Sequence, residues 1–306
     1  MKMLKQPWFL VFLLISSIYT YQFYNSESRL SIGANEAQAE TQPSSKESSS
    51  KYKALKTVQL TQKITKNIDQ LSIQGDLPIN YQVVIADQDH IELQLEGLGK
   101  FYRNQGQELS DWLTWDVRGQ KLSIMSTRDK KFRGNISFKE LKKLMTGTTQ
   151  DSSQAMELRL ILPRQKLDKV DIKVVSSNVK AKDLQFSKMT MESVSGSLKI
   201  NESVGRKLSF QSVSGSLKAN FEQLKKLKMK SMSGSGKIEI RSSSPKLNFE
   251  SVSGSLALQI PENSNLKVDF ESLSGKLRND FEKGTSGGGK LEFSSVSGSA
   301  RIGKIR

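Results

Sequence analysis

The 306-residue chain contains no cysteine and a single histidine, His90. The first absence excludes Cys-ligated zinc, iron–sulfur clusters, thiol catalysis and any disulfide framework. The second leaves no histidine-based triad except one built on His90. Hydrophobic residues make up only 36% of the chain, so the apolar side chains have to be placed economically, in a repetitive pattern or a thin sheet-lined interior. Acidic residues are also scarce, 31 against 47 Lys and Arg. The resulting net charge of +16 draws the chain toward anionic surfaces such as phospholipid headgroups, acidic glycans or nucleic acid.

Compartment decides among these. Lys2 and Lys5 precede the apolar run Trp8 to Ile18, with Tyr19, Tyr21, Phe23 and Tyr24 behind it. This is a basic n-region and an apolar h-region, the pattern of an export signal. The 17 residues from Trp8 to Tyr24 reach the short end of a bilayer span. Residues 1–24 are therefore expected to be a signal anchor with its N-terminus inside, or else a signal peptide cleaved after Ala37-Gln-Ala39. With no cysteine after the run, a lipoprotein is excluded. Residues 25–56 are rich in Ser, Glu and Gln without hydrophobic periodicity and read as a flexible tether. The chain from residue 57 onward is expected to work outside the cytoplasm, in the periplasm or at the cell surface.

From residue 170 the chain repeats itself. The pentapeptide Ser-Val-Ser-Gly-Ser occurs at 193–197, 212–216, 251–255 and 295–299, with variants at 231–235 and 272–276. Its glycines are Gly196, Gly215, Gly234, Gly254, Gly275 and Gly298, at spacings of 19, 19, 20, 21 and 23. Val174 to Asn178 is a degenerate seventh copy. A period near twenty means a solenoid. Each unit holds two short alternating strands, for example Leu208/Phe210 before a marker and Leu217/Ala219 after it. Period two predicts an all-β, single-chain β-solenoid (β-helix) of about 20-residue coils, the coils about 4.8 Å apart. The marker fits a corner, with glycine for a tight bend and small serines that stack and bond to backbone. The same serines read as nucleophiles lack a base, and one nucleophile would not be copied into six corners.

Residues 57–169 carry the strand character less regularly and are expected to continue and cap the solenoid, with an insertion at 130–155. Ser137 to Met145 there has the start signal and spacing of a short helix. Arg301, Lys304 and Arg306 are expected to protect the far end from edge pairing.

These features resemble a bacterial domain-of-unknown-function family labelled "putative adhesin". The order is an N-terminal membrane segment, the opening Ile68-Asp-Gln-Leu-Ser-Ile-Gln-Gly75, the strands Leu158-Arg-Leu-Ile-Leu-Pro163 and Val170-Asp-Ile-Lys-Val174, then serial marker coils. The build is similar to the head domains of autotransporter adhesins. The resemblance implies a β-solenoid on the bacterial envelope and implies no reaction; the basic charge and the 130–155 insertion are departures from the family.

Three residues after each marker glycine, a position pointing outward on the second strand holds Lys199, Lys218, Lys237, Ala257, Arg278 and Arg301, with Lys180 in the degenerate coil. Stacked like charges are unfavourable unless solvated or matched by an anion. The column Lys180, Lys199, Lys218, Lys237, Arg278 and Arg301 is thus a candidate track for an anionic envelope polymer or a membrane surface. The alternative is that lysine keeps a long sheet soluble. The outward face of the first strands reads as net acidic, with Asp171, Glu192, Glu250, Asp269, Glu271 and Glu292 against Lys173, Lys228 and Lys230. Nucleic acid is not expected, because no aromatics interleave the basic positions.

Three weaker motifs remain. Gly284 to Lys290 matches part of a phosphate-binding loop, but Leu291 stands where Ser or Thr is required and a strand comes next. His90 beside Asp87 and Asp89 is a solvated turn or a partial metal site, and Trp112 or Trp115 is core or a sugar-stacking platform. Interrupted acids argue against a polysaccharide lyase or hydrolase. The expectation is a non-enzymatic binding protein without cofactor or metal, or else an envelope scaffold acting through a protein partner.

Overall fold

The computed structural model describes residues 57–98, 113–126, 156–264, 266–281 and 288–305. The N-terminal apolar segment, the tether, the helix expected at 137–145, Trp112 and most of the Gly284–Lys290 loop lie outside the described residues. Every element among the described residues is a β-strand.

Alternation builds two sheets whose inward rows meet. The first set of strands is β2 (Gln70–Gly75), β6 (Lys121–Ser126) and, leading into markers, β8 (Lys166–Val174), β10 (Gln185–Ser193), β14 (Lys246–Ser251), β16 (Leu266–Ser272), β18 (Gly289–Ser295) and the second halves of β11 (Leu198–Ser212) and β12 (Leu217–Ser231). The second set is β3 (Ile79–Ala86), β7 (Met156–Pro163) and, leaving markers, β9 (Val179–Lys182), β13 (Gly236–Ile240), β15 (Leu256–Ile260), β17 (Leu277–Asn279), β19 (Ala300–Lys304) and the first halves of β11 and β12. Within each set the pairing is parallel, so every coil lies on its neighbour in the manner of a β-solenoid. One continuous apolar core runs through it, from Ile68 to Ile302.

The stacking order departs from the serial order expected from the repeat. β18 pairs with β14 on one side and β16 on the other, and β19 lies between β15 and β17. The last coil in sequence is therefore next to last in space. At the other end β2 lies between β6 and β8, so the first two coils are exchanged too. Burial follows the exchange: Leu291, Phe293, Ala300 and Ile302 of the inner coil are buried, whereas Val268, Phe270 and Phe281 of the outer coil are only partly so. The exposed end is thus the β16/β17 edge, where Leu273 is 80% exposed, and not the rung holding Arg301 and Lys304.

The opposite end is closed by antiparallel strands. β5 (Leu113–Arg118) pairs with β6, while β4 (Ile91–Leu98) pairs with β7 and with β1 (Thr57–Ile64). Tyr81 is buried near this end and bonds Ser126 Oγ at 2.6 Å; burial pushes its phenol well above the ordinary tyrosine range.

Candidate functional site

The markers set the register on which the site depends. The first serine of each accepts a hydrogen bond from its own glycine, as Gly196 N donates to Ser193 Oγ at 2.7 Å and Gly215 N to Ser212 Oγ at 2.6 Å. The same hydroxyl donates across to the coil beside it, Ser212 to the Val194 carbonyl at 3.2 Å and Ser295 to the Val252 carbonyl at 3.1 Å. These hydroxyls are occupied in holding coils together. The glycine serves a purpose other than the bend conformation expected for it, since none of the marker glycines has a positive φ. Instead the carbonyl of one marker glycine sits where the next one's Cβ would be: 2.0 Å for Gly196 O against Gly215, 1.9 Å for Gly215 O against Gly234. A side chain there would hold the coils apart.

The strands leaving the markers therefore align residue by residue. Lys180 pairs with Lys199, Lys199 with Lys218, Lys218 with Lys237, and Lys237 with Ala257. Ala257 pairs with Arg301, and Arg301 with Arg278, so the structure brings all six basic track positions into one column with the last two in the reverse of their sequence order. All six are exposed. Arg278 Nε lies 3.7 Å from Asp280 Oδ1; the other five make no ion pair with a described residue. One residue escapes the repeat pattern. Arg159, exposed on β7, pairs with Gln82, which pairs with Lys180, and so extends the column by two rungs. No marker precedes it, so only the pairing of β3 with β7 reveals it.

A groove of about 600 Å³ runs beside the column. The marker's last serines, Ser216, Ser235, Ser255 and Ser299, line it together with Lys218, Lys237, Arg301 and Arg278. Hydroxyls and cations on adjacent outward rows are suited to anionic oxygens, which accept from both. A second groove of about 490 Å³ lies on the other side, and Lys237, Ala257 and Arg301 line both. Ala257, the one neutral rung between Lys180 and Arg278, is where the two grooves adjoin.

The family is decided by the match of the Toastrack DUF4097 family to residues 76–304. The chain belongs to that family. The Toastrack DUF4097 match spans the described coils from Leu77 onward, grooves included. No curated protein matches. Among solved structures, the chain is similar to a "putative adhesin" from Bacteroides fragilis at 14% identity and TM-score 0.43, covering 82% of this chain and 97% of that one. It is also similar to a "putative cell adhesion protein" from Clostridium sporogenes (11%, TM-score 0.34, 82% and 100%). A "putative lipid binding protein" from Parabacteroides distasonis gives 14% identity and TM-score 0.35, covering 81% and 97%.

The remaining candidates sit elsewhere. His90 Nδ1 lies 2.8 Å from Asp89 Oδ1, and Asp87 is held instead by Arg164 at 2.9 Å, which keeps its carboxyl below the ordinary range. Trp115 packs against the core, half-buried. Three of the six acids of the first strands are paired with lysines: Glu250 with Lys230 at 2.6 Å, and both Asp269 and Glu292 with Lys290.

Proposed function

We propose that this Toastrack DUF4097 protein is a non-enzymatic binding module that works outside the cytoplasm and holds an anionic envelope polymer along the basic groove. The observation that carries the reading is the unbroken register of Lys180, Lys199, Lys218 and Lys237, exposed and without ion pairs to described residues, beside a row of hydroxyls. Glu292 does not fit the general acid of a glycosidic reaction. A general acid needs its pKa raised, whereas Lys290 holds Glu292 below the ordinary range.

The test uses long-chain polyphosphate and polygalacturonate as phosphate and uronate probes. Reversing Lys199, Lys218 and Lys237 to Glu is expected to weaken binding at least tenfold, about 1.4 kcal/mol, with a shallower salt dependence because fewer counterions are displaced. The control reverses Lys63, Lys66 and Lys166, exposed residues outside the groove column, with the same change in net charge. Equal loss in both variants would reduce the groove to nonspecific attraction. A second reading, a scaffold that meets an envelope protein, rests on the β16/β17 edge, whose outer side pairs with no described strand, and on its exposed Leu273. Complexes formed there would resist high salt, unlike those formed through charge.

A further inference from the structure

The same registers align a second column of cations, on the opposite sheet. Lys169 pairs with Lys188, Lys188 with Lys207, Lys207 with Lys226 and Lys226 with Lys246. Lys246 then pairs with Lys290, and Lys290 with Lys267 on the last rung. At the other end Gln70 joins Lys169 to Lys121. Every rung but that of Gln70 carries lysine at this position, the residue immediately before the inward Val170, Leu208 or Leu247. The expectation of an acidic face rested on later strand positions alone. With this column included, the face is basic.

Nothing in the packing calls for the charge. Gln70 occupies the same register with its strand paired on both sides, so the fold accepts a neutral residue there. Lys290 is engaged with Glu292 and Asp269, and Lys267 lies 4.0 Å from Asp269. Lys121, Lys169, Lys188, Lys207, Lys226 and Lys246 make no ion pair with a described residue. The position is also distinctive in shape. Asp168 and Lys169, Arg206 and Lys207, and Lys225 and Lys226 are consecutive exposed residues, where a straight strand would alternate. The chain bends there, and the lysines stand along the outside of the bend. The result is an outward row of nine rungs, about 38 Å from first to last at the usual strand spacing, with the bend at Lys169, Lys207 and Lys226 and plain alternation at Lys246, Lys290 and Lys267, where Pro245, Gly289 and Leu266 are buried.

We propose that this row is a docking surface for the anionic headgroups of a lipid bilayer. These lysines line neither of the two grooves, and a row of charges outside a groove suits a flat partner, whereas a single polymer chain is better held in a groove such as the one on the other sheet. The cations are lysine without exception, point charges on flexible stems that suit mobile headgroups. The groove column, by contrast, includes Arg159, Arg301 and Arg278, whose planar forks suit fixed anionic oxygens. Basic clusters of this size are drawn to anionic leaflets. The proposal stands apart from the groove reading and uses none of its residues.

The experiment is a lysine-acylation footprint on the full chain incorporated into vesicles, either phosphatidylcholine alone or phosphatidylcholine with one-third phosphatidylglycerol, read by mass spectrometry. Both vesicles accept the apolar N-terminal segment, so they differ only in surface charge. Acylation of Lys188, Lys207 and Lys226 should slow at least threefold in the anionic vesicles and recover at high salt, while Lys199, Lys218 and Lys237 stay unchanged. Replacing Lys188, Lys207 and Lys226 by Gln, the residue tolerated at position 70, should also remove the protection of Lys169 and Lys246. Equal rates in the two vesicles, equal protection of both columns, or protection of this row by soluble polyphosphate and not by vesicles would each overturn the proposal. The groove reading is judged separately, by polyphosphate protection of Lys199, Lys218 and Lys237.

Discussion

A hydrogen atom is the only side chain that fits at Gly215, with the Gly196 carbonyl 2.0 Å from where a Cβ would sit and Ser212 Oγ at 2.6 Å. The obstacle is backbone, which cannot swing aside as a flexible side chain does. Gly215→Ala is therefore expected to cost roughly 2 kcal/mol or more, by overpacking between coils, as read in a denaturant titration. Ser214→Ala, at an exposed position of the same marker, should stay within about 0.5 kcal/mol. Equal small effects would mean that glycine serves only the local bend. The repeated glycines are plain in the sequence, but their purpose is not. A period shows which residue recurs, and only the distance between coils shows that the constraint comes from the neighbour's carbonyl.

Among the elements, the exchange of the last two coils places Phe293 between two rings, stacked on Phe249 at 4.9 Å and on Phe270 at 5.0 Å. Phe293 is 1% exposed, while Phe270 at the open edge is only partly buried. Phe293→Ala should cost about 3–5 kcal/mol, as for a fully buried ring, and Phe270→Ala roughly half of that. Thermal or chemical denaturation of the two variants gives the comparison. A serial stack predicts the opposite ranking, with Phe270 inside and Phe293 at the end. The inward residues of β14, β16 and β18 are all legible at period two, because alternation is a local property. Their order is not, since Leu247/Phe249, Val268/Phe270 and Leu291/Phe293 are near-equivalent patterns, and nothing local distinguishes the inner coil from the outer. Arg159 and the lysine column through Lys207 were hidden for related reasons. The first lies outside the marker repeat, and the second lies at a bend where alternation breaks.

For the whole molecule, the solenoid turns a local repeat into two separate charged surfaces, a groove on one sheet and an outward lysine row on the other. The basic track was legible because the marker fixes a register and the charge recurs at a constant offset from it; the groove was not, because it arises between two outward rows. The proposed compartment rests on Lys2, Lys5 and the apolar run after them, so protease added to spheroplasts should digest the solenoid. Its survival there would contradict an extracytoplasmic site. The groove itself is most directly tested by affinity for size-fractionated polyphosphate as chain length grows. The column from Arg159 to Arg278 spans nine rungs, about 38 Å, so affinity per chain should rise steeply up to that length and then level off, with Lys199, Lys218 and Lys237 reversed to Glu flattening the rise. A length dependence that never levels off, or one that is unchanged in that variant, would contradict the account.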